Sequence, residues 1–160
     1  MIKEQFFPTT IYAKDVQLDN DLFTREVVRW SNEDKGIKRT NMNGWHSHTD
    51  MHKIPVFKPL VDELFKMQFE VFNEEHLDRE PIIGNMWANI NPPGGYNRPH
   101  IHPNSHFSGV YYIKATKDSG DIVLMILDLH HTWLCLLEKK VNHQNICGEK
   151  SELILWLVEL

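Results

Sequence analysis

The sequence predicts a mainly β protein with flanking α-helices, a jelly roll or small antiparallel barrel. Three observations carry that expectation. Helical periodicity is confined to the first half of the chain, short alternating segments follow from Met86, and turn-forming residues separate those segments. With 160 residues, 41% of them hydrophobic, the chain can bury one core but not two, so residues 1–160 are expected to form a single domain. Within it, residues 1–84 read as an N-terminal strand, helices and a loop, 85–123 as barrel core strands, and 124–160 as an atypical tail.

Residues Phe6 to Val16 alternate around Pro8 and read as an opening strand. Asp19 to Trp30 then carries Leu22, Phe23, Val27 and Trp30 at helical spacing, with Asp19, Asn20 or Asp21 available as a cap. Ser31 to Ile54 is polar and rich in Asn, Gly, His and Asp, the composition of a long functional loop. From Pro55 to Leu77, Phe57, Leu60, Val61, Leu64, Phe65, Val71 and Phe72 repeat at three and four residues, which predicts a second amphipathic helix.

Met86 to Asn91 alternates strictly, and a half-buried strand is expected with Met86, Ala88 and Ile90 on its buried face. Pro92-Pro93-Gly94-Gly95 reads as a turn, because proline fixes φ and glycine supplies positive φ. Phe107 to Lys114 is strand-like again, and Lys117-Asp118-Ser119-Gly120 reads as a hairpin turn into Asp121-Ile122-Val123.

The formal charge of −5, with no basic run longer than Lys139-Lys140, argues against large-scale phosphate neutralisation and so against a nucleic-acid partner. An N-terminus without an apolar core segment and the lack of any 18-residue apolar run lead to the expectation of a cytoplasmic protein with no membrane partner. Two cysteines, Cys135 and Cys147, suggest neither a disulfide framework nor a zinc site.

Ten histidines are many for this length, and they cluster as His46, His48, His52 and as His100, His102, His106. In Arg98-Pro99-His100-Ile101-His102-Pro103 two imidazoles stand two residues apart, on one face if the segment is a strand. If that parity survives Pro103, Ser108, Val110 and Tyr112 share the face, while Phe107, Gly109, Tyr111 and Ile113 take the other. His106 has the right parity and reads as solvated, and spacing alone suits a surface loop as well as a metal pair.

The run Trp87-Ala88-Asn89-Ile90-Asn91, Gly95-Tyr96-Asn97, His100-Ile101-His102-Pro103 and Ser108-Gly109-Val110-Tyr111-Tyr112 resembles a family of bacterial and phage 2OG-Fe(II) oxygenases. Phe7-Pro8-Thr9, Ile11-Tyr12 and Asn43-Gly44-Trp45-His46-Ser47 match as well, so the resemblance spans residues 6–123. It implies a double-stranded β-helix of the cupin-like type, with Fe(II) and 2-oxoglutarate as cofactor and co-substrate and ascorbate as a candidate reductant. The implied reaction is hydroxylation of a small molecule or of a protein side chain.

By the resemblance, His100 and His102 are the metal candidates, Tyr112, Ser108 and Asn91 the co-substrate candidates, and Trp45, His46 and Arg98 a substrate loop. Asn89 and Asn91 lie on the polar face of their strand, suited to a ligand or to bonding across strands. Most such enzymes have an Asp or Glu where this chain has His102, so either both imidazoles bind or water replaces the carboxylate, as in aspartyl/asparaginyl hydroxylases.

The family also needs a distal His and an Arg or Lys for the far carboxylate of 2-oxoglutarate, and neither can be placed among Leu124 to Leu160. Back-translation of Leu124 to Asp128 in a shifted frame permits Tyr-Asp-Pro-Arg, so the tail from about Leu124 reads as a frameshift product and the barrel as incomplete at that end. The alternative is a genuine divergent end, with Leu153, Ile154, Leu155, Trp156 and Val158 forming a strand. Two other functions compete: a catalytically dead cupin-like binding protein, and a zinc metallohydrolase using His46, His48, Asp50 and His52.

Overall fold

Asp19 starts the first helix as the sequence requires: its carboxylate accepts the Leu22 backbone N–H at 2.9 Å, and α1 runs Asn20–Glu33. Phe23 and Val27, four residues apart, bury one stripe of it, while Arg29 bonds Glu26 and Glu33 on the exposed side. The helix ends where Asp34 turns extended, its N–H still donating to the Trp30 carbonyl at 2.9 Å. A 3-10 turn at Pro55–Phe57 leads into α2, Lys58–Glu74, which buries Leu60, Leu64, Val71 and Phe72 along one face. Both predicted helices are therefore present, α1 ending three residues later than expected and α2 shorter at both ends.

The computed structural model describes residues 10–115 and 119–124, together with the backbone of 139–141 and 151–159. Residues 10–19 form no strand, and the rest of the predicted opening strand lies outside the described residues, as do the matching block Phe7-Pro8-Thr9, both cysteines and His130, His131 and His143.

The strands are β1 (Asn41–Met42), β2 (Trp45–His46), β3 (Ile82–Asn91), β4 (Tyr96–Asn97), β5 (Phe107–Lys114), β6 (Ile122–Leu124), β7 (Lys139–Val141) and β8 (Ser151–Glu159). The main sheet has the order β2-β3-β8-β5, with β8 antiparallel to both neighbours. β1 pairs with β4 and β6 with β7 as separate two-stranded ladders. Among the described residues the strands form small open sheets beside two helices, as a mainly β chain with flanking helices should, and they do not close into a barrel.

Two local causes are visible. After His102 the chain turns through Pro103 and Asn104, the latter at φ 65°, and the Ser105 N–H reaches back to the His102 carbonyl at 3.3 Å. Asparagine tolerates that left-handed conformation, and proline cannot donate to a ladder, so the His100–His106 segment is loop and not strand. The predicted hairpin at 117–120 also fails to pair its flanks, because β5 takes β8 as partner and β6 takes β7. The turn at Pro92–Gly95 does form: Gly94 has φ 79° and the Gly95 N–H donates to the Pro92 carbonyl at 2.7 Å.

The register divides the sheet into two faces. Met86 and Ala88 of β3 are in line with Gly109 and Tyr111 of β5 across residues 156 and 154 of β8. That face is covered by the helices: Met86, Ala88 and Ile113 join Phe23, Val27, Phe57, Leu60, Leu64 and Phe72 in the core, and the Phe107 ring stands 5.6 Å from Phe72. Tyr111 adds a polar tie, its hydroxyl donating to the Asn20 side chain at 2.6 Å. The parity expected for Phe107, Tyr111 and Ile113 therefore holds. β3 itself is not half-buried as expected; Met86, Trp87, Ala88 and Asn89 are all buried, so both its faces are covered.

Candidate functional site

Trp87, Asn89 and Asn91 occupy the other face of β3, and the ladder puts Val110 opposite Trp87 and Tyr112 opposite Asn89 across residues 155 and 153 of β8. β2 extends this row, because His46 pairs with Asn89 and Trp45 with Ile90. β2 is pinned to β3 by Ser47, which is fully buried: its N–H donates to the Ala88 carbonyl at 3.0 Å and its hydroxyl accepts the Ala88 N–H at 3.0 Å.

His46 lies flat on Trp87, ring centroids 5.4 Å apart and planes 9° apart. On the same indole, His102 packs at 5.8 Å with a 54° tilt, and the His100 ring meets the His102 ring edge-on at 4.7 Å. Three imidazoles from two separate segments thus gather around Trp87. The His-x-His pair is brought together as predicted, although by a loop and not by a strand.

A backbone carbonyl can only accept, so the short contacts of His46 Nδ1 with the Ser47 carbonyl (2.6 Å) and of His100 Nδ1 with the Arg98 carbonyl (2.7 Å) fix Nδ1 as the donor in both rings. In the neutral form this leaves the Nε2 lone pair free, which is how a backbone carbonyl orients a metal-binding imidazole. Burial lowers the pKa of His46 and of His102, and for His102 the neighbouring His100 lowers it further. Both shifts favour the uncharged, ligand-competent ring.

Two imidazoles, His100 and His102, fit two positions of an iron site. Among the described residues, however, no group of three or more His, Cys, Asp or Glu comes close enough together to hold a metal ion. The set is therefore a pair of candidate ligands, with no carboxylate joining it there.

The other predicted residues divide. Tyr112 is partly buried in the His46–Asn89 row, its phenol pKa raised by burial and then by Asp121, and lies two strand spacings, about 10 Å, from Asn89. Ser108 shares the face but is exposed and four residues back along β5, about 13 Å away. Asn91 shares the face too, its side chain lying over Gly44; a Cβ at Gly44 would collide with Asn91 Oδ1 and come within 2.9 Å of the Ile90 carbonyl oxygen.

Trp45 packs edge-on against Trp30 at 5.7 Å on the helix side, and its Nε1–H donates to the Asp34 carbonyl at 2.8 Å. The side chain of Arg98 is exposed, and what it lends the site is the carbonyl that holds His100. His106 is exposed beside Phe107, as expected.

The zinc-hydrolase set does not assemble. His46 faces Trp87, whereas His48 stands 3.5 Å from Asp34 and lines, with Asp50, a separate open cavity of about 700 Å³ beside Trp30, Lys53 and Ile54.

Sequence reasoning left Asn89 undecided and missed the partnership of His46 with the His100–His102 loop. The pairing of Trp45-His46 with Asn89-Ile90 is what creates it, and two-residue strands carry no periodic signal.

Residues 85–155 match the sequence model of the family described as Putative 2OG-Fe(II) oxygenase. The matched segment is a little under half of the chain and contains β3 from Asn85 onward, the His100–His102 loop and β5. It begins well after residue 6 and continues past Leu124, so the family's span runs on beyond the point where the sequence placed its end. That family implies Fe(II) and 2-oxoglutarate. Comparison with curated proteins and with solved structures returns no match. No helix among the described residues is long and apolar enough to cross a membrane.

Proposed function

We propose that the chain is an iron(II)/2-oxoglutarate-dependent oxygenase that hydroxylates its substrate, with His100 and His102 as iron ligands. The observation that carries this reading is the pairing of two rings 4.7 Å apart, one anchored through Nδ1, inside the segment that matches the oxygenase family. Bound there, iron would supply the oxidative chemistry that couples 2-oxoglutarate decarboxylation to substrate oxidation. The chain's own contribution is positional: Arg98 holds the His100 ring through its carbonyl, and Trp87 supports His102 from the side.

The test is succinate formation from 2-oxoglutarate with iron and ascorbate, run on the wild type and on His102→Ala. Turnover in the wild type that falls to background in the variant supports the reading. A second reading, a binding protein without turnover, is favoured by the lack of a third ligand among the described residues. Retention of cobalt(II) without succinate formation would select it. A cobalt(II) titration that shows no difference between wild type and His102→Ala removes the metal assignment from both.

A further inference from the structure

Among the described residues, six buried side-chain nitrogen and oxygen atoms have no hydrogen-bond partner, and four of them sit on one face of one strand: Trp87 Nε1, Asn89 Nδ2 and Oδ1, and Asn91 Oδ1. Asn89 is 0% exposed and Trp87 6%. Buried polar groups in folded proteins are satisfied in the large majority of cases, so a concentration of unsatisfied ones at alternate positions of a single strand points to something they are built to bind. Their face is the one that carries His46, with the His100–His102 loop packed against it through Trp87.

The pattern of donors and acceptors narrows the ligand. Trp87 Nε1–H can only donate, the Asn89 carboxamide both donates and accepts, and Asn91 Oδ1 accepts. With Nδ1 committed to the Ser47 carbonyl, neutral His46 offers a further acceptor at Nε2. A carboxylate would satisfy the indole and the amide N–H but would face two or three acceptor atoms with nothing to donate. Rotating the Asn89 amide exchanges its ends without removing the conflict. A neutral group that carries both an N–H and a C=O satisfies both kinds of atom: a primary amide pairs with the Asn89 carboxamide through two antiparallel bonds, whereas a trans peptide bond, whose N–H and C=O point opposite ways, gives the carboxamide one bond and meets the Trp87 N–H or an acceptor with the other group.

We infer that Trp87, Asn89 and Asn91 recognise an amide group of the substrate. The shared chemistry is that of a peptide bond or of an Asn- or Gln-type side chain. That this group belongs to a substrate rests on the oxygenase reading; that the face binds an amide does not.

The test uses the full chain labelled with ¹⁵N, with the Trp87 indole and Asn89 carboxamide resonances assigned from Trp87→Phe and Asn89→Leu. Acetamide, N-methylacetamide and sodium acetate are titrated separately. Amide probes are expected to shift both resonances saturably and acetate at least tenfold more weakly. A response to both amides indicates a peptide bond, and one to acetamide alone a side-chain carboxamide.

Asn89→Leu is expected to abolish the Trp87 response while leaving the melting temperature unchanged or higher, because it removes an unsatisfied buried amide. Equal or stronger shifts with acetate, or no saturable shift with any probe, would overturn the inference. So would an Asn89→Leu protein that melts lower yet keeps the response. If that variant does not fold, the wild-type titration decides alone. Cobalt(II) binding without an amide response removes this inference and spares the oxygenase reading, and an amide response without cobalt(II) binding does the reverse.

Discussion

The two faces of β3 are made from the same alternating hexapeptide and end in opposite condition. Met86 and Ala88 point into a core of aliphatic and aromatic side chains, whereas Trp87 and Asn89, equally buried, hold polar atoms without partners. Burial on the first face is stabilising in itself, at about 25 cal/mol per Å² of apolar surface. On the second face burial carries a cost of about 1–3 kcal/mol for each unsatisfied group, which is what a strand built for binding, and not for stability, looks like.

Substitutions can sharpen or break that contrast. Truncating the core face should have the largest effect: Met86→Ala is expected to lose about 2–5 kcal/mol in urea unfolding, because its neighbours cannot fully close the cavity. A loss below about 1 kcal/mol would mean the helix-covered face is loosely packed. Gly44→Ala should come next, at about 1–3 kcal/mol, since the added methyl meets Asn91 Oδ1 and the Ile90 carbonyl. Finding it neutral would show that the bend between β1 and β2 can move away from β3.

Asp19→Ala removes the cap of the helix that covers the core face and should lower stability by about 1 kcal/mol, read as a drop in melting temperature. Trp87→Phe should change stability by less than about 1 kcal/mol in either direction, because it keeps an aromatic ring between His46 and His102 and deletes an unsatisfied N–H. A large loss there would break the comparison, since it would mean the indole N–H is already well bonded.

The smallest effect is on pH dependence. His46 and His52 have pKa values lowered below the ordinary 6.5, chiefly by burial. In the unfolded chain these rings take up protons more readily than in the folded one, so their contribution to stability is complete above pH 6.5 and is lost as pH falls through that value toward the folded pKa. The melting temperature should therefore decline on acidification below pH 6.5, and His46→Gln should flatten the decline.

Much of the helix-covered half was legible from sequence. Phe23, Val27, Leu60, Leu64 and Phe72 recur at helical spacing, and Phe107, Tyr111 and Ile113 keep strand parity; both are local signals that packing reinforces. The site face was less legible for three physical reasons. An asparagine in an alternating strand looks solvent-facing, and nothing local reveals that Asn89 is covered. The juxtaposition of His46 with His102 depends on a β2–β3 pairing between residues more than forty positions apart. Pro99 and Pro103 should have warned that the histidines lie in a loop, because neither can join a ladder in the middle of a sheet. The barrel was read from a run of short alternating segments, a pattern that marks strands without saying which of them pair.

β8 has one more consequence. It lies between β3 and β5, so Trp87 meets residue 155 and Val110 meets the same residue from the other side. The two strands that carry the site have no ladder with each other, and their alignment exists only once a segment about sixty residues after β3 has threaded between them. Closing such long loops is entropically expensive before any contact compensates, which places this sheet among the slow, high-contact-order folds. β8 therefore sets where Val110 and Tyr112 stand relative to Trp87 and Asn89, whereas His46 and His102 reach the same strand without it, through the β2–β3 ladder and a loop fifteen residues on from Trp87.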